Sequence, residues 1–380
     1  MKSSSFRPST LCVHAGTYLD ERTGGIGTPI FPSTSYKYPN AADENVYPRY
    51  FNVPNQKAVA QKVASLEKGE QGLVFSSGMA AISTVLFAHL KPGDHAVFQA
   101  DLYGGTYHFV SGELAAFGID ITLAGTPEEF AAAIRPTTRL VYIESPSNPL
   151  LRCIDLAAIA TVALQHGAVS VIDNTFATPI NQNPITLGVD VVVHSATKYL
   201  NGHTDVNAGV VVSSQDIIRK VSKYAINHGG TLDAHGCYQL ERGMKTLALR
   251  VKQHNENATR LAAFLQKHPA ARRVSYPGLA DHPDHKIAAL QMSGFGGMLA
   301  VELTDPGRVN EFLKRLRVAT PALSLGGVET LVCLPSQTSH RSMSPAERER
   351  AGIAPGLVRI SAGIEDVEDL LEDFDQALRA

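Results

Sequence analysis

Val189-Asp190-Val191-Val192-Val193-His194-Ser195-Ala196-Thr197-Lys198-Tyr199-Leu200-Asn201-Gly202-His203 joins a β-branched apolar run to a short polar turn. The run Val189–Val193 predicts a strand buried on both faces, as in a parallel sheet. Lys198 lies just past that strand, between the hydroxyls of Ser195 and Thr197. Such an amine suits a Schiff base to an aldehyde cofactor, with the hydroxyls holding a phosphate beside it. Partial desolvation would lower the lysine pKa and make the free amine a nucleophile and base. A surface lysine after a strand would look the same in this segment, so the rest of the chain decides.

Working outward, further apolar segments read as strands at Gly72–Phe75, His95–Gln99, Asp120–Leu123, Arg139–Ile143, Ser170–Ile172 and Gly209–Val212. Amphipathic stretches such as Ile154–His166 separate them. Strand and helix in alternation predict an α/β fold, a mostly parallel central sheet with helices on both faces. Ligands of such sheets collect at the carboxyl ends of the strands. Residues 1–55 are rich in Gly, Pro, Ser, Thr and Tyr, which predicts an extended N-terminal arm rather than packed helices. Helical spacing begins at Gln56, with Ala58, Val59, Val63 and Leu66 on one face. The cofactor-binding α/β domain is expected over 56–240. A smaller C-terminal α+β domain is expected over 241–380, entered by a long helical stretch, Tyr238–Leu265. Its strands are expected at Gly297–Leu303 and Leu357–Ser361, and its last helix at Ile364–Leu378.

The 380 residues carry 34 Lys+Arg against 36 Asp+Glu, a net charge of −2. That balance offers no electrostatic footprint for nucleic acid and no polybasic membrane patch. Hydrophobic residues make up 44% and charged ones 18%, enough for a large core. The N-terminus has no apolar signal region, and no apolar run reaches membrane-spanning length. Cys12, Cys153, Cys237 and Cys333 are scattered without metal-ligand spacing. His14 follows Cys12, but no second such pair accompanies it. These features are read as free thiols in a cytoplasmic protein without a metal.

Candidate chemistry falls at the predicted strand ends. Asp173 ends Val169-Ser170-Val171-Ile172 and could hold a protonated pyridine nitrogen, or cap the next turn. Its place, one β-α-β unit before Lys198, puts the two on neighbouring strand ends. Ser76-Ser77-Gly78-Met79 opens a helix whose N–H groups favour a phosphate, although an ordinary serine cap has the same pattern. Tyr103 could stack on a cofactor ring and move a proton, or fill the core. Asn148 could reach a phenolic oxygen on the cofactor, or simply turn the chain before Pro149. Arg359, a charge within an apolar strand, needs a partner: a substrate carboxylate or an internal one.

Taken in order, these motifs resemble the Cys/Met metabolism family of pyridoxal-phosphate enzymes, from about Thr10 to the C-terminus. The carriers are the lysine run, Ser-Gly-Met at 77–79, Tyr-Gly-Gly at 103–105, Glu-Ser-Pro-Ser-Asn-Pro at 144–149, Ile-Asp-Asn-Thr-Phe at 172–176, Ser-Leu-Gly-Gly-Val-Glu at 324–329 and Arg-Ile-Ser at 359–361. The resemblance implies a fold-type-I enzyme with pyridoxal 5'-phosphate on Lys198. It implies that Asp173 pairs the pyridine nitrogen, Tyr103 stacks on the ring and Asn148 contacts its phenolic oxygen. Gly78, Met79, Ser195 and Thr197 would bind the phosphate, with Tyr47 and Arg49 reaching the phosphate of a neighbouring subunit. Ser324 and Arg359 would take the α-carboxylate. A homotetramer follows, a dimer of dimers whose active sites are shared within each dimer.

Departures from the family concern specificity. Enzymes acting on cystathionine tend to carry an acidic residue at the place of Val46, an arginine at that of His108 and a glutamate at that of Leu323. Some β-lyases are apolar at the place of Leu323. Methionine γ-lyases typically have a cysteine where Gly105 stands. Pro48 and Val53 alter the usual arm motif, and Pro335–Arg341 departs towards the sulfhydrylases. The reading is PLP-dependent elimination from an amino acid of the homoserine or homocysteine type, of the cystathionine γ-lyase kind, releasing a 2-oxo acid and ammonia. Alternatives are γ-replacement, β-lyase or methionine γ-lyase chemistry, an aminotransferase of the same fold, and a non-catalytic PLP-binding regulatory protein.

Overall fold

The computed structural model describes residues 6–38, 45–338, 341, 344–350 and 352–379. Seven strands form the larger sheet: β1 (Gln71–Phe75), β2 (His95–Gln99), β3 (Asp120–Ala124), β4 (Thr138–Glu144), β5 (Val169–Asp173), β6 (Val191–Ser195) and β7 (Gly209–Ser213). Their order is β1-β7-β6-β5-β4-β2-β3. β7 is antiparallel to both its neighbours, whereas β6, β5, β4, β2 and β3 pair in parallel. The chain runs outward from β2 to β3, then returns to place β4 on the other side of β2. A crevice opens at that reversal, between the carboxyl ends of β2 and β4.

Alternation along the strands serves both faces. Phe98, Tyr142, Val171 and Val193 pack on one face with Ile82, Leu86, Ile218 and Val221. Val97, Val141, Ile172 and Val192 pack on the other with Phe130, Ile159 and Ala163. Burial of both faces is the physical reason for the near-continuous Val/Ile content.

The second sheet contains β8 (Ala271–Ser275), β9 (Met298–Leu303), β10 (Thr320–Pro321), β11 (Leu331–Cys333) and β12 (Leu357–Ser361), in the order β10-β11-β12-β9-β8. One continuous core joins it to the larger sheet. Val210 and Val212 of β7 belong to the same cluster as Val251, Leu261, Val301 and Ile360.

Several expectations need correction. The segment 1–55 is not wholly extended: a helix, α1 (Pro8–His14), buries Leu11 and Cys12. Pro8 suits the first helical turn, and two apolar residues suffice to seat so short a helix. The stretch expected as one helix over Tyr238–Leu265 is two, Ala234–Met244 and Leu247–Lys267. β6 begins two residues later than expected and includes Ser195. β8 and β10 have no apolar run to announce them, whereas β11 lies in the apolar run Leu331–Leu334 and was missed. Ser339 and His340, within the atypical 335–341 stretch, lie outside the described residues. All four cysteines are unpaired and buried. Among the described residues no helix is long and apolar enough to cross a membrane.

Candidate active site

The turn after β6 places Lys198 in a half-buried position, with its N–H donating to Ser195 O at 3.1 Å. The following residues are held from beneath by Arg250, a buried guanidinium. It donates to Tyr199 O at 2.7 Å, Leu200 O at 3.3 Å and Gly243 O at 2.9 Å. Burial lowers the Arg250 pKa to about 10. Gly326, at φ +73°, lets the loop carrying Ser324 lie against Tyr199: a Cβ there would stand 2.7 Å from Tyr199 N. Lys198 Nζ therefore meets Ser324 Oγ at 2.7 Å. Burial, with the charge of Arg359 adding to it, lowers the Lys198 pKa to about 8.

Arg359 arrives from β12 and is buried. It donates to Asn148 Oδ1 at 3.1 Å and to Ser324 O at 3.0 Å. Among the described residues it has no carboxylate partner. Ser324 itself is at φ +93°, a backbone conformation that residues with side chains rarely adopt. Lys198, Asn148, Ser324 and Arg359 thus form one linked set drawn from both sheets.

Asp173 ends β5, one strand from Ser195. Its Oδ1 accepts from Thr175 N at 3.0 Å and Thr175 Oγ1 at 2.5 Å, and Thr175 Oγ1 accepts from Ser195 N at 2.8 Å. Burial raises the Asp173 pKa despite those hydrogen bonds. A cation beside it would relieve that penalty. Helix α2 spans Pro54–Glu67, and α3, Gly78–His89, begins directly against Ser195. A Cβ on Gly78 would stand 2.8 Å from Ser195 Cβ and 3.0 Å from its Cα. The bare Gly78 and Met79 N–H groups of this helix start thus share one corner with Ser195. The Thr197 hydroxyl is turned to its own hairpin, accepting from Ala208 N at 3.0 Å and lying 3.0 Å from Asn207 Oδ1.

Tyr103 opens the short helix α4 (Gly104–His108), with 43% of its surface exposed. Among the described residues, Tyr47 and Arg49 form no hydrogen bond or ion pair with the lysine turn of their own chain. Arg49 Nη1 donates to Ile226 O at 2.7 Å, and Arg49 Cζ lies 5.9 and 5.8 Å from the ring centroids of Tyr47 and Tyr50. Val46 is half-buried, while His108 and Leu323 are exposed. A groove of about 1340 Å³ lies over α2, β1 and the helix Gln215–His228, and none of these candidate residues lines it.

Sequence reasoning missed Thr175, Arg250, Glu144 and the pair Glu67–His194. His194 Nε2 lies 2.5 Å from Glu67 Oε1, both side chains being buried, and Asn174 Nδ2 donates to the same oxygen at 2.8 Å. His194 directly precedes the quoted serine, and Glu67 ends α2. An acid and a histidine amid apolar runs were the available signal.

The arrangement offers an amine, a buried carboxylate about one strand away and a glycine-floored helix start. These fit an aldehyde-bearing pyridine carrying a phosphate, so pyridoxal phosphate suits the donor set. The family model for Cys/Met metabolism PLP-dependent enzymes matches residues 9–379. The chain is 44% identical to the cystathionine gamma-lyase of Bacillus subtilis (strain 168), over 98% of this chain and 99% of that relative. It is 42% identical to the cystathionine beta-lyase of Lactococcus lactis subsp. cremoris (strain MG1363), over 97% and 98%. The crystal structure of metB from Corynebacterium glutamicum superposes with a TM-score of 0.95 at 40% identity, covering 100% of this chain and 99% of that one.

Proposed function

The chain belongs to the Cys/Met metabolism family of PLP-dependent enzymes, and from that premise we propose that it catalyses γ-elimination on a sulfur- or oxygen-substituted amino acid of the homoserine or homocysteine type. The linked set Lys198–Ser324–Arg359–Asn148 carries this reading. An uncompensated buried guanidinium beside a low-pKa amine suits an amino acid, carboxylate on one and α-carbon near the other.

Bound pyridoxal phosphate supplies an aldehyde for the substrate amine and an electron-accepting ring. Gly78, Met79 and Ser195 would hold its phosphate, with Thr197 joining by rotation of its hydroxyl. Asp173, held by Thr175, would stay ionised beside the pyridine nitrogen. Asn148 would serve the phenolic oxygen, and Tyr103 would cover the ring. Arg359 fixes the carboxylate, and Ser324 orients the Lys198 amine. Lys198 takes the Cα proton, and a second proton leaves Cβ. Lys198 or Tyr103 then returns a proton to the departing sulfur or oxygen. With water the balance is a 2-oxo acid, ammonia and the free thiol or other leaving group.

Val46, His108 and Leu323 would leave the distal pocket short of charged partners for the far end of cystathionine. Tyr47 and Arg49 make their contacts with Asn52, Tyr50 and Ile226 rather than with their own lysine turn, which fits service to a neighbouring subunit's phosphate. We therefore read the enzyme as a homo-oligomer with shared sites, a tetramer of two such dimers, and as cytoplasmic.

The test is incubation of holoenzyme with L-cystathionine, L-methionine, L-homocysteine and O-acetyl-L-homoserine, with and without added thiol, and identification of the keto acid. 2-Oxobutanoate is expected, with cystathionine a weaker substrate than uncharged ones. Pyruvate from cystathionine would replace this reading with a β-lyase. A new thioether with little keto acid would replace it with γ-replacement.

A further inference from the structure

Glu144 is buried at the end of β4, on the rim of the crevice where the strand order reverses. Its Oε2 accepts the backbone N–H of Tyr103 at 2.8 Å, across 41 residues of sequence. Its own N–H donates to Gln99 Oε1, at the end of β2, at 3.0 Å. The side chain and backbone of one residue therefore tie together the strand ends bounding the crevice. Two further restraints converge on Tyr103. Its carbonyl accepts from Tyr107 N at 2.9 Å, starting α4. Its ring lies over Gly105, where a Cβ would stand 2.5 Å from Tyr103 Cε1.

We propose that Glu144 is a positioning residue that clamps the backbone of Tyr103 and so sets where the ring that covers the cofactor lies. A turn that is half-exposed and follows a strand is otherwise free to shift. Fixing its N–H from a buried strand removes that freedom before substrate arrives. A hydrogen bond to a buried carboxyl also costs more to break than one at the surface, because the carboxyl oxygen left unpaired in the interior is cut off from water. Glu144 pairs in register with Asp173, so both carboxyls leave the same face of the sheet. Burial and the neighbouring Asp173 push the Glu144 carboxyl well above the usual range. A neutral carboxyl keeps its carbonyl oxygen as an acceptor, so the clamp does not depend on charge. This inference rests on the reading that Tyr103 covers the ring.

The variants Glu144→Gln, Glu144→Leu and Tyr103→Ala, and the double variant Glu144→Leu/Tyr103→Ala, would be compared as holoenzymes. The readouts are visible circular dichroism of the bound cofactor, its dissociation on dilution, and the thermal midpoint. Glu144→Gln keeps an acceptor and should retain the dichroic band and dissociation within about 3-fold. Glu144→Leu should lose most of the band and release cofactor on the order of 10-fold faster. Its addition to Tyr103→Ala should change neither further. Additive losses in the double variant, or an unchanged band in Glu144→Leu, would overturn the proposal. If Glu144→Leu fails to fold, Glu144→Gln alone decides, since loss of its band overturns an acceptor-only clamp. An unaltered Tyr103→Ala would instead remove the reading of Tyr103 on which the inference stands.

Discussion

Raising the pH across the titration of Lys198 should switch on covalent capture of pyridoxal phosphate by apoprotein, because only the free amine attacks an aldehyde. Burial first, and then Arg359, lower this amine from 10.5 to about 8. At pH 7 about one molecule in ten carries the free amine, against about one in three thousand for an unperturbed lysine, a gain of about 300-fold. Stopped-flow absorbance from pH 6.5 to 10 would give the capture rate. Dividing by the rate for a small lysine amide at each pH, corrected for that amine's own ionisation, removes the titration of the cofactor itself. The corrected rate should rise about tenfold per pH unit and level near pH 8. Arg359→Met should move the midpoint upward, by less than burial has lowered it. A rate still climbing at pH 10 would refute the argument that this pocket desolvates the amine.

Four other expectations follow from particular contacts. Arg359→Lys loses the planar fork that spans Asn148 and Ser324, and should raise KM for the amino acid at least about tenfold with a smaller change in kcat. His194→Ala leaves Asn174 as the remaining side-chain donor to the buried Glu67 Oε1 and should lower unfolding free energy by about 1–3 kcal/mol in urea titrations, with His194→Gln costing less. Gly105→Ala forces the Tyr103 ring aside; an unchanged visible dichroic spectrum and kcat/KM would contradict it. Mixing inactive Arg49→Ala and Lys198→Ala chains, with subunit exchange, should restore about a quarter of wild-type activity if sites are shared, and none if each chain is self-contained.

The site was legible where chemistry needs a special residue at a strand end. Lys198 and Asp173 follow runs of Val and Ile, and the parallel sheet of those runs puts their ends side by side. Asn148 was less legible, because an asparagine before proline is an ordinary turn.

The supporting contacts were not legible at all. Thr175 looks like any threonine, Arg250 like any helix arginine, and Glu144 like one letter of a motif. Their roles come from partners 20, 51 and 41 residues away. The extended arm was misjudged in part for the same reason: α1 holds its place through the residues it packs against, and seven residues have too little intrinsic helix stability to announce themselves.

Local sequence determined the alternating strands, the buried faces and a lysine just past a buried strand, because backbone periodicity and apolar runs act over a few residues. Tertiary structure decided how Arg359 of β12 and the loop carrying Ser324 reach the turn of Lys198, and that Tyr103 is held from β4. Those contacts depend on how two sheets share a core and on where strand order reverses, and hydrogen bonds between distant strand ends leave no periodic trace in the chain.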